Sequence, residues 1–143
     1  MQLACIISPN GLGHFSRTNA MVNNIIKSDG AHVDIYCQRW QFEICYAKVL
    51  SSPNIKWHFD KMEPGITWSK NPLIYKDNRL LTWVSRLSNE KAILNSDLVI
   101  SDNLSGILEI RPDTVMMGSF LWSDILEYAY PENSDVKAFV EYE

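Results

Sequence analysis

The sequence predicts an α/β fold, a parallel, doubly wound sheet of about five strands between two layers of helices. Two observations carry this. Short apolar runs of strand length alternate with longer amphipathic runs along the whole chain, the pattern of parallel strands joined by crossover helices. Two of those runs, LACIIS at 3–8 and DLVIS at 97–101, are almost continuously apolar, as strands covered on both faces are.

The elements follow in order. Residues 3–8 form a first strand that stops at Pro9. Residues 15–28 form a helix with Phe15, Val22, Ile25 and Ile26 on one face, ended by Asp29-Gly30. In the second strand, 31–38, Val33, Ile35 and Cys37 alternate with His32, Asp34 and Tyr36. A helix over 39–50 should bury Trp40, Ile44, Ala47 and Val49 or Leu50. The third strand, 54–60, sets Ile55, Trp57 and Phe59 against Lys56, His58 and Asp60. Residues 61–76 read as irregular, with Pro64-Gly65 and Asn71-Pro72. Asp77 would cap a helix over 78–94 that buries Leu80, Leu81, Val84, Leu87 and Leu94. Beyond the strand 97–101 come a helical turn at 104–110, a fifth strand at 114–119 and a short helix at 121–129. The acidic tail 131–143 could add a last helix. The whole of 1–143 is one Rossmann-like domain.

Composition narrows the function. A chain of 143 residues that is 46% hydrophobic and 21% charged is globular. Its net charge of −4 argues against nucleic acid as a partner, which needs a cationic footprint. Cys5, Cys37 and Cys45 form no CxxC pair and lie in apolar segments, as buried reduced thiols do in a cytoplasmic protein. No apolar run reaches the ~20 residues of a membrane span, although peripheral contact with the inner face of a membrane stays open.

In such sheets, ligands bind beyond the C-terminal strand ends where strand order reverses. That point falls between 3–8 and 97–101. The loop Pro9–His14 should therefore face Ser101-Asp102-Asn103. Gly11 and Gly13 allow positive φ and a close approach of backbone to a ligand. The helix beyond them offers free N–H groups to a diphosphate. A P-loop is excluded because its lysine is missing. The dinucleotide fingerprint fits poorly, with Ser16 at the third glycine and no acid at the end of the second strand. At this mouth His14 is placed to take a proton, with Asp102 to orient it. Equally, His14 could bond its own loop, and Asp102 could cap the turn 104–110. Arg17 lies on the polar side of the helix and could reach a phosphate or lie in solvent. His32 and His58 read as structural. Trp68, Trp83 and Trp122 suit packing better than a sugar or lipid platform. Glu63 and Asp77 lie in or beside the long loop, with nothing pairing them as an acid/base couple.

The segment SPNGLGHFSRTNAMVNNI resembles the first loop and helix of GT-B glycosyltransferases. It carries their G-x-G-H-x-x-R pattern at Gly11, Gly13, His14 and Arg17. The segment DLVISDNLSGILEIRPDTVMMGSFLW is similar to the second half of the same N-terminal domain, with an aspartate ending one strand and Gly118-Ser119 ending the next. The resemblance implies the acceptor-side half of a nucleotide-sugar-dependent enzyme. In that reading His14 is the base and Asp102 its partner. Asn10, Gly11, Leu12, Gly13, Arg17, Asn103 and Ser119 then contact substrate or phosphate. No cofactor or metal is expected beyond the nucleotide-sugar co-substrate. The acceptor would be a sugar or lipid-linked molecule. GT-B enzymes have a second, donor-binding domain that this sequence lacks, so that domain is expected in cis or as a separate chain. The chain alone should then show little turnover. A homodimer is compatible with all of this. A nucleotide-sugar hydrolase of similar fold and a non-catalytic sugar- or nucleotide-binding module are the alternatives.

Overall fold

The structure is a computed structural model, and it describes residues 1–49, 51–62 and 84–143. Five strands lie in the order β3-β2-β1-β4-β5, every neighbouring pair parallel. They are β1 (Gln2–Ile7), β2 (His32–Cys37), β3 (Ile55–Phe59), β4 (Leu98–Asp102) and β5 (Val115–Met117). The chain builds outward from β1 to β3, then returns to the other side of β1 with β4. The order therefore reverses between β1 and β4, where the alternation of elements placed it. The two central strands pair in register from Leu3 opposite Leu98 to Ile7 opposite Asp102.

Side chains alternate across the sheet and fill two cores. Leu3, Cys5, Ile7, Val33, Ile35, Cys37 and Ile100 face helices α1 (Leu12–Asp29) and α2 (Arg39–Cys45), meeting Phe15, Val22 and Cys45. Ala4, Ile6, Tyr36 and Val99 face the opposite layer. That layer holds α3 (Lys91–Asn95), α4 (Trp122–Ala129) and α5 (Ser134–Tyr142), which bury Ile93, Trp122, Leu126, Val136 and Phe139. Asp34 and Tyr36, on the second face of β2, are buried too, because that strand is interior. Asp34 accepts from Gln2 Nε2 on β1 and pairs with His58 Nε2 on β3, both at 2.5 Å. His58 stacks on Tyr36 with ring centroids 4.4 Å apart. His58 is thus built into the sheet, the structural role its strand position suggested.

Three elements depart from the sequence reading. Helix α1 begins at Leu12 with Gly11 as its N-cap, not at Phe15. Helix α2 stops at Cys45 and continues as a 3-10 turn, Tyr46–Lys48. Its inner face carries Gln41 and Cys45, while Trp40 and Ile44 are exposed. A capping box between Gln38 and Gln41 sets that rotation, because it pins Gln41 inward at the first turn. Where one helix over 78–94 was expected, residues from Ser85 form a 3-10 segment, Ser85–Asn89, followed by α3. Glu90, extended at φ −77° and ψ 106°, separates the two. As a result Ile93 is buried and Leu94 exposed. Leu50, the irregular stretch from Glu63 onward, and Trp68, Asp77, Leu80, Leu81 and Trp83 lie outside the described residues.

Candidate active site

The reversal point brings His14 and Asp102 together. Asp102 ends β4 beside Ile7, the last residue of β1. The chain leaves β1 through Ser8-Pro9-Asn10 and enters α1 at Gly11, so His14 sits on the first helical turn and faces back over the strand ends. Only Gly11 of the two loop glycines needs its freedom. Its φ of 153° is a region L side chains rarely occupy, whereas Gly13 lies within the helix. Gln41 of α2 holds the bend from behind, donating Nε2 to Ser8 O at 2.9 Å and to Gly11 O at 2.8 Å.

The Asp102 carboxylate is fully buried and four hydrogen bonds converge on it. His14 Nδ1 lies 2.9 Å from Oδ1. Arg17 donates from Nη2 to Oδ1 at 2.5 Å and from Nε to Oδ2 at 3.2 Å. The Thr18 hydroxyl donates to Oδ2 at 3.1 Å. Burial works to raise the Asp102 pKa, but the bonds from His14 and Arg17 outweigh it and hold the carboxyl below its ordinary value. The same pairing pushes the Arg17 guanidinium upward.

An ionised carboxylate only accepts, so Nδ1 of His14 carries the hydrogen and Nε2 keeps its lone pair. The 3.4 Å approach of Arg17 Nη2 to His14 Nδ1 is then two donors aimed at one carboxylate. The arrangement is a buried anion that fixes the tautomer of an imidazole whose side chain is 11% exposed, with one ring nitrogen left to take a proton. The edge of Phe120 meets that ring, with centroids 6.3 Å apart.

The other expected site residues are placed as follows. Arg17, read as a phosphate contact, has its guanidinium bound to Asp102, because one turn of helix sets it directly over the carboxylate. Asn10 bonds Ser8 Oγ through Nδ2 at 3.3 Å, while its buried Oδ1 has no partner. Leu12 and Gly13 are exposed on the first turn of α1, whose N-cap makes no side-chain hydrogen bond. Asn103 is buried with φ 56°, its N–H bonded to Met117 O and its carbonyl to Trp122 Nε1. Its side chain lies so close to Gly118 that a Cβ there would stand 1.7 Å from Asn103 Oδ1. Gly118 is therefore required by packing. Ser119 is exposed beside it. Trp122 is 3% exposed and acts as a core residue.

Thr18 and Gln41 escaped the sequence reading. Thr18 had a usable signal: it is four residues after His14, so both share the helix face turned toward the strand ends. Gln41 had none, since its partners are main-chain carbonyls about thirty positions away. Among the described residues, no three His, Cys, Asp or Glu side chains gather as metal ligands. Nor is any helix among the described residues long and apolar enough to cross a membrane.

No family model matches the chain, and no curated protein matches its sequence. Solved structures do match. One is a crystal structure of a UDP-glucose:anthocyanidin 3-O-glucosyltransferase in complex with UDP. It is 17% identical and superposes with a TM-score of 0.52 over 89% of this chain, which spans 32% of the length of that enzyme. The fold is thus α/β and Rossmann-like, similar to part of a glycosyltransferase.

Proposed function

We propose that this chain is the acceptor-side half of a nucleotide-sugar-dependent glycosyltransferase, with His14 as the base. The observation that carries the reading is the His14–Asp102 pair, 2.9 Å apart at the reversal point of the sheet. In the step proposed, an acceptor hydroxyl oxygen attacks the anomeric carbon of the donor. The bond from that carbon to the diphosphate breaks, and the diphosphate departs with the electron pair. The hydroxyl proton passes to Nε2 of His14, and Asp102, ionised and buried, stabilises the imidazolium that forms. Arg17 and Thr18 hold Asp102 in place and keep it charged. The uncapped first turn of α1 and the unpartnered Asn10 Oδ1 suit polar contacts to the substrate there. The donor itself would sit against a second, donor-binding unit, in cis or as a separate chain, because the matched transferase is about three times as long. The cytoplasm, with or without contact to the inner face of a membrane, is the proposed location.

The test uses the protein together with its donor-binding unit. His14→Ala should abolish turnover, by at least a hundredfold, while leaving donor affinity within about twofold. Unchanged turnover would refute the base and favour a non-catalytic binding module. Product identity then separates transfer from hydrolysis, because free sugar as the main product would mean that His14 activates water.

A further inference from the structure

The bend from β1 to α1 leads directly to His14, yet little within it holds its shape. Pro9 has no N–H to donate. The hydrogen bonds inside the bend, from Asn10 N and Nδ2 to Ser8 Oγ, are long, at 3.4 and 3.3 Å. Gly11, at φ 153°, is the N-cap of α1 and has no side chain to close the first turn. Arg17 and Thr18 fasten the second turn of α1 to Asp102. His14 stands on the first, where helices fray.

What fastens the bend comes from another helix. Gln41 of α2 is fully buried. Its NH2 group donates to Ser8 O at 2.9 Å and to Gly11 O at 2.8 Å, the carbonyls on either side of the bend. Both donors of the amide are thereby used. Its Oε1 accepts from Gln38 N at 3.1 Å, so the amide is itself held by the first turn of α2. Gln38 Nε2 in turn donates to Met62 O at 3.2 Å, three residues past the end of β3. The bend after β1 is thus tied to the exits of β2 and β3. His14 follows Gly11 by three residues, and its Nδ1 lies 2.9 Å from Asp102 Oδ1 on β4.

We propose that Gln41 is a positioning residue for the base: its two hydrogen bonds fix where the first turn of α1 begins, and with it the reach of His14 to Asp102. The proposal rests on the reading of His14 as the base and adds a residue that acts only through it. A catalytic group displaced by about 1 Å can lose most of its rate, so the bend has to be held this closely.

Two variants test this in the full chain. Gln41→Met keeps the length of the side chain and removes both donors. Gln41→Glu keeps the acceptor for Gln38 N and at most one donor. In chain labelled with 15N-histidine, the exchange of each imidazole hydrogen with water is read at pH 8, and His14→Gln assigns the His14 signal. Exchange at His14 should quicken at least tenfold in both variants, while His58, bonded to Asp34, stays within twofold as the internal reference. General loosening would move both histidines. With the donor-binding unit present, Gln41→Met should lower kcat at least tenfold and leave the donor KM within about twofold. His14 exchange within twofold of the unaltered protein, equal change at His58, or failure of both variants to fold would overturn the proposal. If His14 alone loosens but the unaltered reconstituted protein transfers no sugar, the positioning role stands and the transfer reading falls. Transfer that depends on His14, with His14 exchange unmoved in both variants, gives the reverse.

Discussion

Replacing Asp102 by asparagine changes one oxygen for an NH2 group and tests the centre of the site. The carboxylate is fully buried and accepts from His14, from Arg17 twice and from Thr18. Asparagine keeps one acceptor oxygen and turns a donor toward at least one of those four donors, so roughly two bonds are lost. Charge-assisted hydrogen bonds contribute about 1.5–3 kcal/mol each. The Arg17 side chain is 35% exposed, so water recovers part of its loss, and the net cost is about 3 kcal/mol. For 143 residues, unfolding entropy near ~2.1 cal/mol/K per residue converts that into a fall of about 10 °C in Tm. Urea titrations of both proteins between pH 7 and pH 3 give the assay. The Asp102 pKa is lowered on folding, so its contribution is complete above the unfolded value of about 3.9 and is lost as pH falls through the lower folded value. The stability gap should therefore not close between pH 7 and about pH 5, and should shrink only in stronger acid. A gap under about 1 kcal/mol at pH 7, or one that closes between pH 7 and pH 5, would refute the reasoning.

Two further outcomes are expected. The loop glycines should separate: Gly11→Ala should cost about 1–2 kcal/mol through backbone strain alone, since a Cβ there meets nothing within 4 Å. Gly13→Ala, inside a helix with equally open space, should be neutral or stabilising by up to about 1 kcal/mol, and equal losses in the two melts would show that the helix starts later than Leu12. Burial pushes the Cys5 and Cys37 thiols up to about 12, so neither should react with a disulfide reagent at pH 8 until urea unfolds the chain. Peptide mapping that finds either labelled in the folded protein contradicts that burial.

The sheet was legible in the sequence because a strand buried on both faces has little choice of residue. The apolar runs at 3–8 and 97–101 marked the two central strands, and their juxtaposition followed from the rule of reversal in parallel sheets. That put His14 near Asp102 before any distance was known. The role of Arg17 was harder to read, because a cation near a glycine loop fits a phosphate as well as a carboxylate, and only the structure shows its 2.5 Å contact with Asp102. The inward face of α2 was misjudged for a different reason. Periodicity ranks Trp40 and Ile44 above Gln41, yet main-chain carbonyls at a strained bend outbid apolar surface for that position. The sequence placed Asn103 at the crevice, but nothing local indicated that its amide nitrogen would be enclosed without a partner.

The bonds around Asp34 have a meaning for assembly. This carboxylate stands in the middle of β2 and is answered from both sides, by Gln2 on β1 and by His58 on β3. Sliding either neighbour by one residue would turn its partner to the opposite face and leave an acid in the apolar interior with half its ligation. Val33, Ile35 and their neighbours would tolerate such a slip far better, one branched side chain replacing another. Asp34 thus acts as a proofreader of strand alignment, and the same alignment, carried across β1 to β4, decides whether Asp102 arrives beneath His14.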